Sequence, residues 1–160
     1  NRRFTWVLKV VRRPCLRGAS RTSPSTSVRV SIVCGDDYFR QNGIQRLDVV
    51  KMDIEGFEKH AIDGMASCLD TWRPLMMIEI SETGREQFGD FTAFANTFPE
   101  NYEFYYCHPK PGIIIRTTLC PADEAAYGEF VGNIFCIPIE RRNLFMELAG
   151  DALARHPVAP

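Results

Sequence analysis

Between positions 51 and 58 a lysine and three carboxylates, Lys51, Asp53, Glu55 and Glu58, interrupt an otherwise mostly apolar stretch, "LDVVKMDIEGFEKHAIDGM" over residues 47–65. Charge set into an apolar segment is costly unless it meets partners. Alternate residues of an extended strand share a face, so Leu47, Val49, Lys51 and Asp53 stand on one side. A lysine two residues before an aspartate can hold that carboxylate ionised and oriented, either as a structural ion pair closing the strand end or as part of a site. Glu79 interrupts a second apolar run, "PLMMIEI" over residues 74–80, near its carboxyl end. Two acidic strand ends side by side suggest a site, and the chemistry that carboxylates offer is proton transfer. Projected at about 100° per residue, Glu58 lies between Met65 and Leu69, within the apolar stripe of a helix. Its carboxylate there must meet the free N–H groups of the helix start or a partner in a crevice.

The elements that position these groups follow from periodicity. Residues 47–54 read as a strand, and 57–69 as a helix with Phe57, Ala61, Met65, Cys68, Leu69 and Trp72 on one side. Residues 74–80 have the continuous apolar character of a strand buried on both faces. Strand, helix, strand at this spacing is a parallel βαβ unit. Upstream, residues 28–33 alternate like a strand and 36–43 read as a short helix with an acidic start and a glycine stop. Downstream, Phe91, Phe94, Ala95 and Phe98 mark a short helix. Residues 102–108 form a strand, and 109–112 turn the chain into a hairpin partner over 113–119. A helix over 122–130, a strand over 133–139 and an amphipathic helix carrying Leu144, Phe145, Leu148, Ala152 and Leu153 complete an α/β domain with an open, mostly parallel sheet. In such sheets the ligand crevice lies beyond the carboxyl ends of the strands, where Asp53, Glu55 and Glu58 fall.

Composition bounds the function. The 160 residues, 45% of them hydrophobic, suffice for one domain with a core, and a formal net charge of -1 argues against non-specific nucleic-acid binding. That charge is unevenly spread. Arg2, Arg3, Lys9, Arg12, Arg13, Arg17, Arg21 and Arg29 precede the first acid, Asp36, so residues 1–35 carry +8 and the remainder -9, which sum to -1. Residues 1–27 have the composition of a disordered basic leader or linker, leaving 28–155 as the domain and 156–160 as a tail. The cysteines (Cys15, Cys34, Cys68, Cys107, Cys120 and Cys136) include no Cys-x-x-Cys pair and read as reduced thiols of a cytoplasmic protein. No apolar run approaches the ~20 residues that span a bilayer. His60, His108 and His156 show no ligand spacing, and no required metal is expected. His108 follows a strand and would face the crevice if that strand runs parallel to its neighbours.

The run Lys51-x-Asp53-x-Glu55-Gly56-x-Glu58, followed by "WRPLMMIEI" at the observed distance, resembles the central signature of the FkbM family of methyltransferases. The upstream "DDYFRQNGI" and the late "GNIFCIPI" fit the same layout, so the similarity covers residues 28–139. The resemblance implies a class I, Rossmann-like domain with flanking helices and a late antiparallel strand, using S-adenosyl-L-methionine to methylate a hydroxyl of a small molecule or sugar. Carried over residue by residue, Asp53 and Glu55 face the methyl group and acceptor, Lys51 supports Asp53, and Glu79 lies at the neighbouring strand end. Asp53 is the first candidate for the base and Glu55 the second, with Glu58 and His108 as substrate-binding candidates. The family's glycine-rich cofactor loop and the acid after its second strand precede the matched region. Residues 1–35 supply neither, so the chain is expected to be the C-terminal half of such a domain, its cofactor-binding residues unassigned.

Two other readings stand beside this one. Loss of the cofactor-binding half would leave a non-catalytic interaction module with sheet edges seeking a partner, so an oligomer is open. "DVVKMDIE" also approaches the acidic run of chitinase-like glycoside hydrolases, although Lys51 occupies one carboxylate position and a complete (β/α)₈ barrel takes about 250 residues.

Overall fold

The computed structural model describes residues 6–9, 32–109, 117–122, 127–128 and 132–155. Within them β1 (Trp6–Lys9), β2 (Val49–Asp53), β3 (Leu75–Ile80), β4 (Tyr102–Pro109), β5 (Thr117–Pro121) and β6 (Gly132–Pro138) form one open sheet, ordered β1-β2-β3-β6-β4-β5. β1, β2 and β3 are parallel. β6 then runs antiparallel between β3 and β4, and β5 folds back on β4 as a hairpin. Four of the six strands therefore share one direction, β4 among them. The helices are α1 (Gly35–Gln41), α2 (Glu58–Asp63), α3 (Ala66–Trp72), α4 (Glu82–Phe88), α5 (Phe91–Ala95) and α6 (Arg142–Arg155). This is an α/β fold with the expected βαβ unit at its centre. Among the described residues β1 and β5 end the sheet rather than pairing with each other, an open arrangement unlike the closed barrel of a chitinase-like hydrolase.

Register and the period of two divide the sheet into unlike faces. Val50, Met52, Met76, Ile78, Ile134 and Cys136 share the face that packs on the helices, in a core completed by Ile62, Leu69, Phe88, Phe94 and Phe98. Phe94 is the centre of an aromatic cluster, with Phe88, Phe98 and Phe104 each 5.0 to 5.5 Å away between ring centroids. The other face carries Val49, Lys51, Asp53, Met77, Glu79, Asn133 and Phe135. α6 covers part of it through Phe145, which meets Phe135 and Tyr105. The apolar stripe expected of this helix is only partly used, since Leu144 and Leu148 remain exposed.

Local departures from the pattern have identifiable causes. The single helix expected over 57–69 is two, broken at Gly64 and Met65, and Phe57 is exposed rather than part of its apolar side. A contact remote in sequence makes the break. Asp36 on α1 accepts the Ser67 and Cys68 N–H groups at 2.9 and 3.0 Å, capping α3, while the Gly64 carbonyl accepts the Asp36 N–H. Burial works against the charge of Asp36, yet these donors hold its carboxyl below the usual range. Helix α4 has no apolar periodicity to announce it; Ser81 starts it by accepting from the Gly84 N–H at 3.1 Å. Trp6–Lys9 lie inside the stretch whose composition reads as a leader, and here they are a sheet strand. A short apolar run was diluted there by the arginines around it. Of the strand expected over 28–33, only Ile32 and Val33 are described, and they have no regular structure. Most of the helix expected over 122–130 lies outside the described residues.

Candidate functional site

Lys51, Asp53 and Glu79 share the sparsely covered sheet face, near or at the carboxyl ends of two adjacent parallel strands. Lys51 extends sideways rather than along its own strand. Its Nζ donates to Asn133 Oδ1 on β6 at 2.7 Å and lies 3.3 Å from Glu79 Oε2 on β3. The expected Lys51–Asp53 pair is not formed: the register neighbour of Lys51 on β3 is Met77, and the long lysine side chain reaches diagonally past it to Glu79 and Asn133. Among the described residues no side chain pairs with the Asp53 carboxylate, which is half-buried. Lys9 of β1 takes the register position opposite Asp53.

Beyond Asp53 the chain makes a tight turn. Glu55 is exposed and left-handed (φ 56°), and Gly56 follows at φ 97°. Only glycine enters that region without a steric cost, so the glutamate is held there by its surroundings. Glu58 stands behind the turn and is 1% exposed. It is buried, as a place in the apolar stripe requires, but its partners belong to the preceding turn and not to the helix start: Oε1 accepts from Ile54 N at 3.3 Å and Gly56 N at 3.1 Å. Its burial turns the carboxylate to the backbone of the turn. His60 is exposed, with Nδ1 3.2 Å from Gln87 Oε1. His108 lies near the carboxyl end of β4, which pairs antiparallel with both its neighbours, β5 and β6, so the condition set for it to face the crevice is not met, although β4 shares the direction of β2 and β3; its side chain is outside the described part. Among the described residues no group of three or more His, Cys, Asp or Glu could hold a metal ion, and no helix is long and apolar enough to cross a membrane.

Sequence reasoning missed Asn133, the shorter of the two Lys51 contacts, and Gln87, which donates to the Gly56 carbonyl. Both are distant in sequence from the residues they serve. The glycine before Asn133 was the available signal, since Gly132 marks the start of the strand that delivers it.

In open α/β sheets ligands bind beyond the carboxyl ends of the strands, where these carboxylates collect. The sequence profile of the methyltransferase FkbM domain matches residues 11–106, which include β2, β3 and the whole Asp53–Glu58 turn. The chain belongs to that family. No curated protein and no solved structure matches the chain.

Proposed function

We propose that this domain transfers a methyl group from S-adenosyl-L-methionine to a hydroxyl oxygen of a small molecule or sugar. The observation that carries the reading is the division of labour at the sheet edge: Lys51 is occupied by Glu79 and Asn133, while Asp53 has no partner among the described residues. With Lys51 committed to β3 and β6, the Asp53 carboxylate stands at the strand end to accept the proton of an acceptor hydroxyl. The donor set also fits the cofactor, because Asp53, Glu55 and Glu79 around one lysine give an edge of net negative charge that complements a sulfonium and an ammonium. That group, when bound, supplies a methyl carbon on a positively charged sulfur, open to in-line attack by oxygen.

Asp53 takes the proton that the acceptor hydroxyl loses, and Glu55, exposed at the tip of the turn, is the second base and a contact for neighbouring hydroxyls. Lys51 holds Glu79 and Asn133 in place across three strands, which fixes the floor of the acceptor position. Near-attack placement and proton removal are the contributions a protein makes to such a displacement. The test is labelled methyl transfer to a panel of hydroxylated small molecules and sugars, together with calorimetric titration by S-adenosylhomocysteine. Asp53→Asn is expected to lower turnover by about 10²- to 10⁴-fold while leaving that affinity nearly unchanged. Wild-type turnover in the Asp53→Asn variant would remove Asp53 from the role of base.

A further inference from the structure

Glu55, the second residue proposed to meet the acceptor, lies on a turn that does not hold itself. Glu55 and Gly56 are both left-handed, and no regular element includes them. Two side chains clamp this turn from behind. Glu58 Oε1 receives the N–H groups of Ile54 and Gly56, the residues on either side of Glu55, and Gln87 of α4 donates through Nε2 to the Gly56 carbonyl. The elements approach so closely that a Cβ at Gly84 would lie 2.8 Å from Glu58 Oε2, and a Cβ at Gly56 would lie 3.0 Å from Thr83 Cγ2. Glu58 Oε2 itself has no hydrogen-bond partner among the described residues. A buried carboxylate oxygen without a partner works against stability, so stabilising the core does not account for this side chain.

We infer that Glu58 and Gln87 are positioning residues, which set the left-handed turn at Glu55 and so aim that carboxylate, beyond the strand end at Asp53, at the acceptor. The methyl-transfer reading is needed only for what that carboxylate then meets. The clamp itself is a statement about the chain: removing it loosens residues 54–56 and leaves the sheet intact. Glu58→Gln keeps an oxygen to receive the two N–H groups, whereas Glu58→Ala keeps none. Gln87→Met keeps the bulk and deletes the donor.

The experiment is residue-resolved amide hydrogen exchange on the full 160-residue chain, with labelled methyl transfer measured on the same variants. Glu58→Ala is expected to speed exchange at Ile54 and Gly56 on the order of tenfold or more, as loss of the hydrogen bonds that protect these amides requires. Met52 and Ile78, within strands, should stay unchanged, and Glu58→Gln should restore most of the protection. If Glu58→Ala does not fold, Gln87→Met reads the same clamp from its half-buried side, with faster exchange at Gly56. In turnover, Gln87→Met is expected to lower kcat with the KM for S-adenosyl-L-methionine unchanged. Exchange rising equally across the sheet, or no change at residues 54–56, would overturn the proposal. A protected turn in a wild-type chain that transfers no methyl group would instead defeat the methyl-transfer reading and leave the clamp standing.

Discussion

Lys51 on β2 reaches past β3 to donate a 2.7 Å hydrogen bond to Asn133 on β6, tying together the parallel and antiparallel parts of the sheet. Its second contact, Glu79, lies on the strand between them. Both ends of that ion pair reach solvent, so its worth to stability is small, within about 1 kcal/mol. Lys51→Met is therefore expected to leave the urea midpoint nearly unchanged and to lower methyl-transfer turnover, because Glu79 and Asn133 lose the group that orients them. A large loss of stability, measured by urea denaturation, would show that the lysine is structural instead.

Gly84 is required by the approach of α4 to Glu58. Its added methyl in Gly84→Ala would meet Glu58 Oε2 at 2.8 Å, well inside contact distance, so one of the two elements must move. The expected cost is about 1–3 kcal/mol, the range for overpacking a filled site. Denaturation of Gly84→Ala alone and combined with Glu58→Ala checks the cause, since the double variant should recover part of the loss.

Glu140 predicts an acid-sensitive contact far from the site. Its carboxylate accepts from Arg73 Nε at 2.6 Å, and that hydrogen bond holds it below the usual carboxylate range. A carboxylate whose folded pKa is depressed contributes stability above its unfolded pKa, and the contribution is lost as pH falls through the folded value. Wild type should therefore lose more stability than Glu140→Gln from pH 4.5, the unperturbed value, downward. Denaturation curves of the two chains should converge on acidification.

Phe94 is fully buried among Phe88, Phe98, Phe104 and Tyr127. Its truncation in Phe94→Ala leaves a cavity beneath β4 that the surrounding rings fill only in part. A loss of about 3–5 kcal/mol is expected in urea denaturation.

Cys68 and Cys34 should differ in reactivity. Burial pushes the Cys68 thiol up to about 12, with the neighbouring Asp36 adding to the effect, whereas Cys34 is exposed. Mass spectrometry after brief alkylation at mildly alkaline pH should find the peptide bearing Cys34 modified and that bearing Cys68 intact, since the thiolate is the reacting form.

The sequence by itself determined the elements whose signal is local and repeated: the apolar strands at β2, β3 and β6, the existence of a hairpin partner for β4, though Pro109, expected in the turn, is paired with Thr117, and the carboxylates at the strand ends. It also placed Glu58 in the apolar stripe, because that projection needs only the helical period. What the tertiary structure decided depends on neighbours that local patterns do not contain. Asp36 breaks the helix at Gly64 from a distant position, and α4 forms with little apolar periodicity to mark it. Lys51 turns to Asn133 rather than Asp53, a partner that only the pairing of β6 with β3 brings within its reach. Gln87 and Glu58 meet the same turn from two helices, a convergence that only packing brings about.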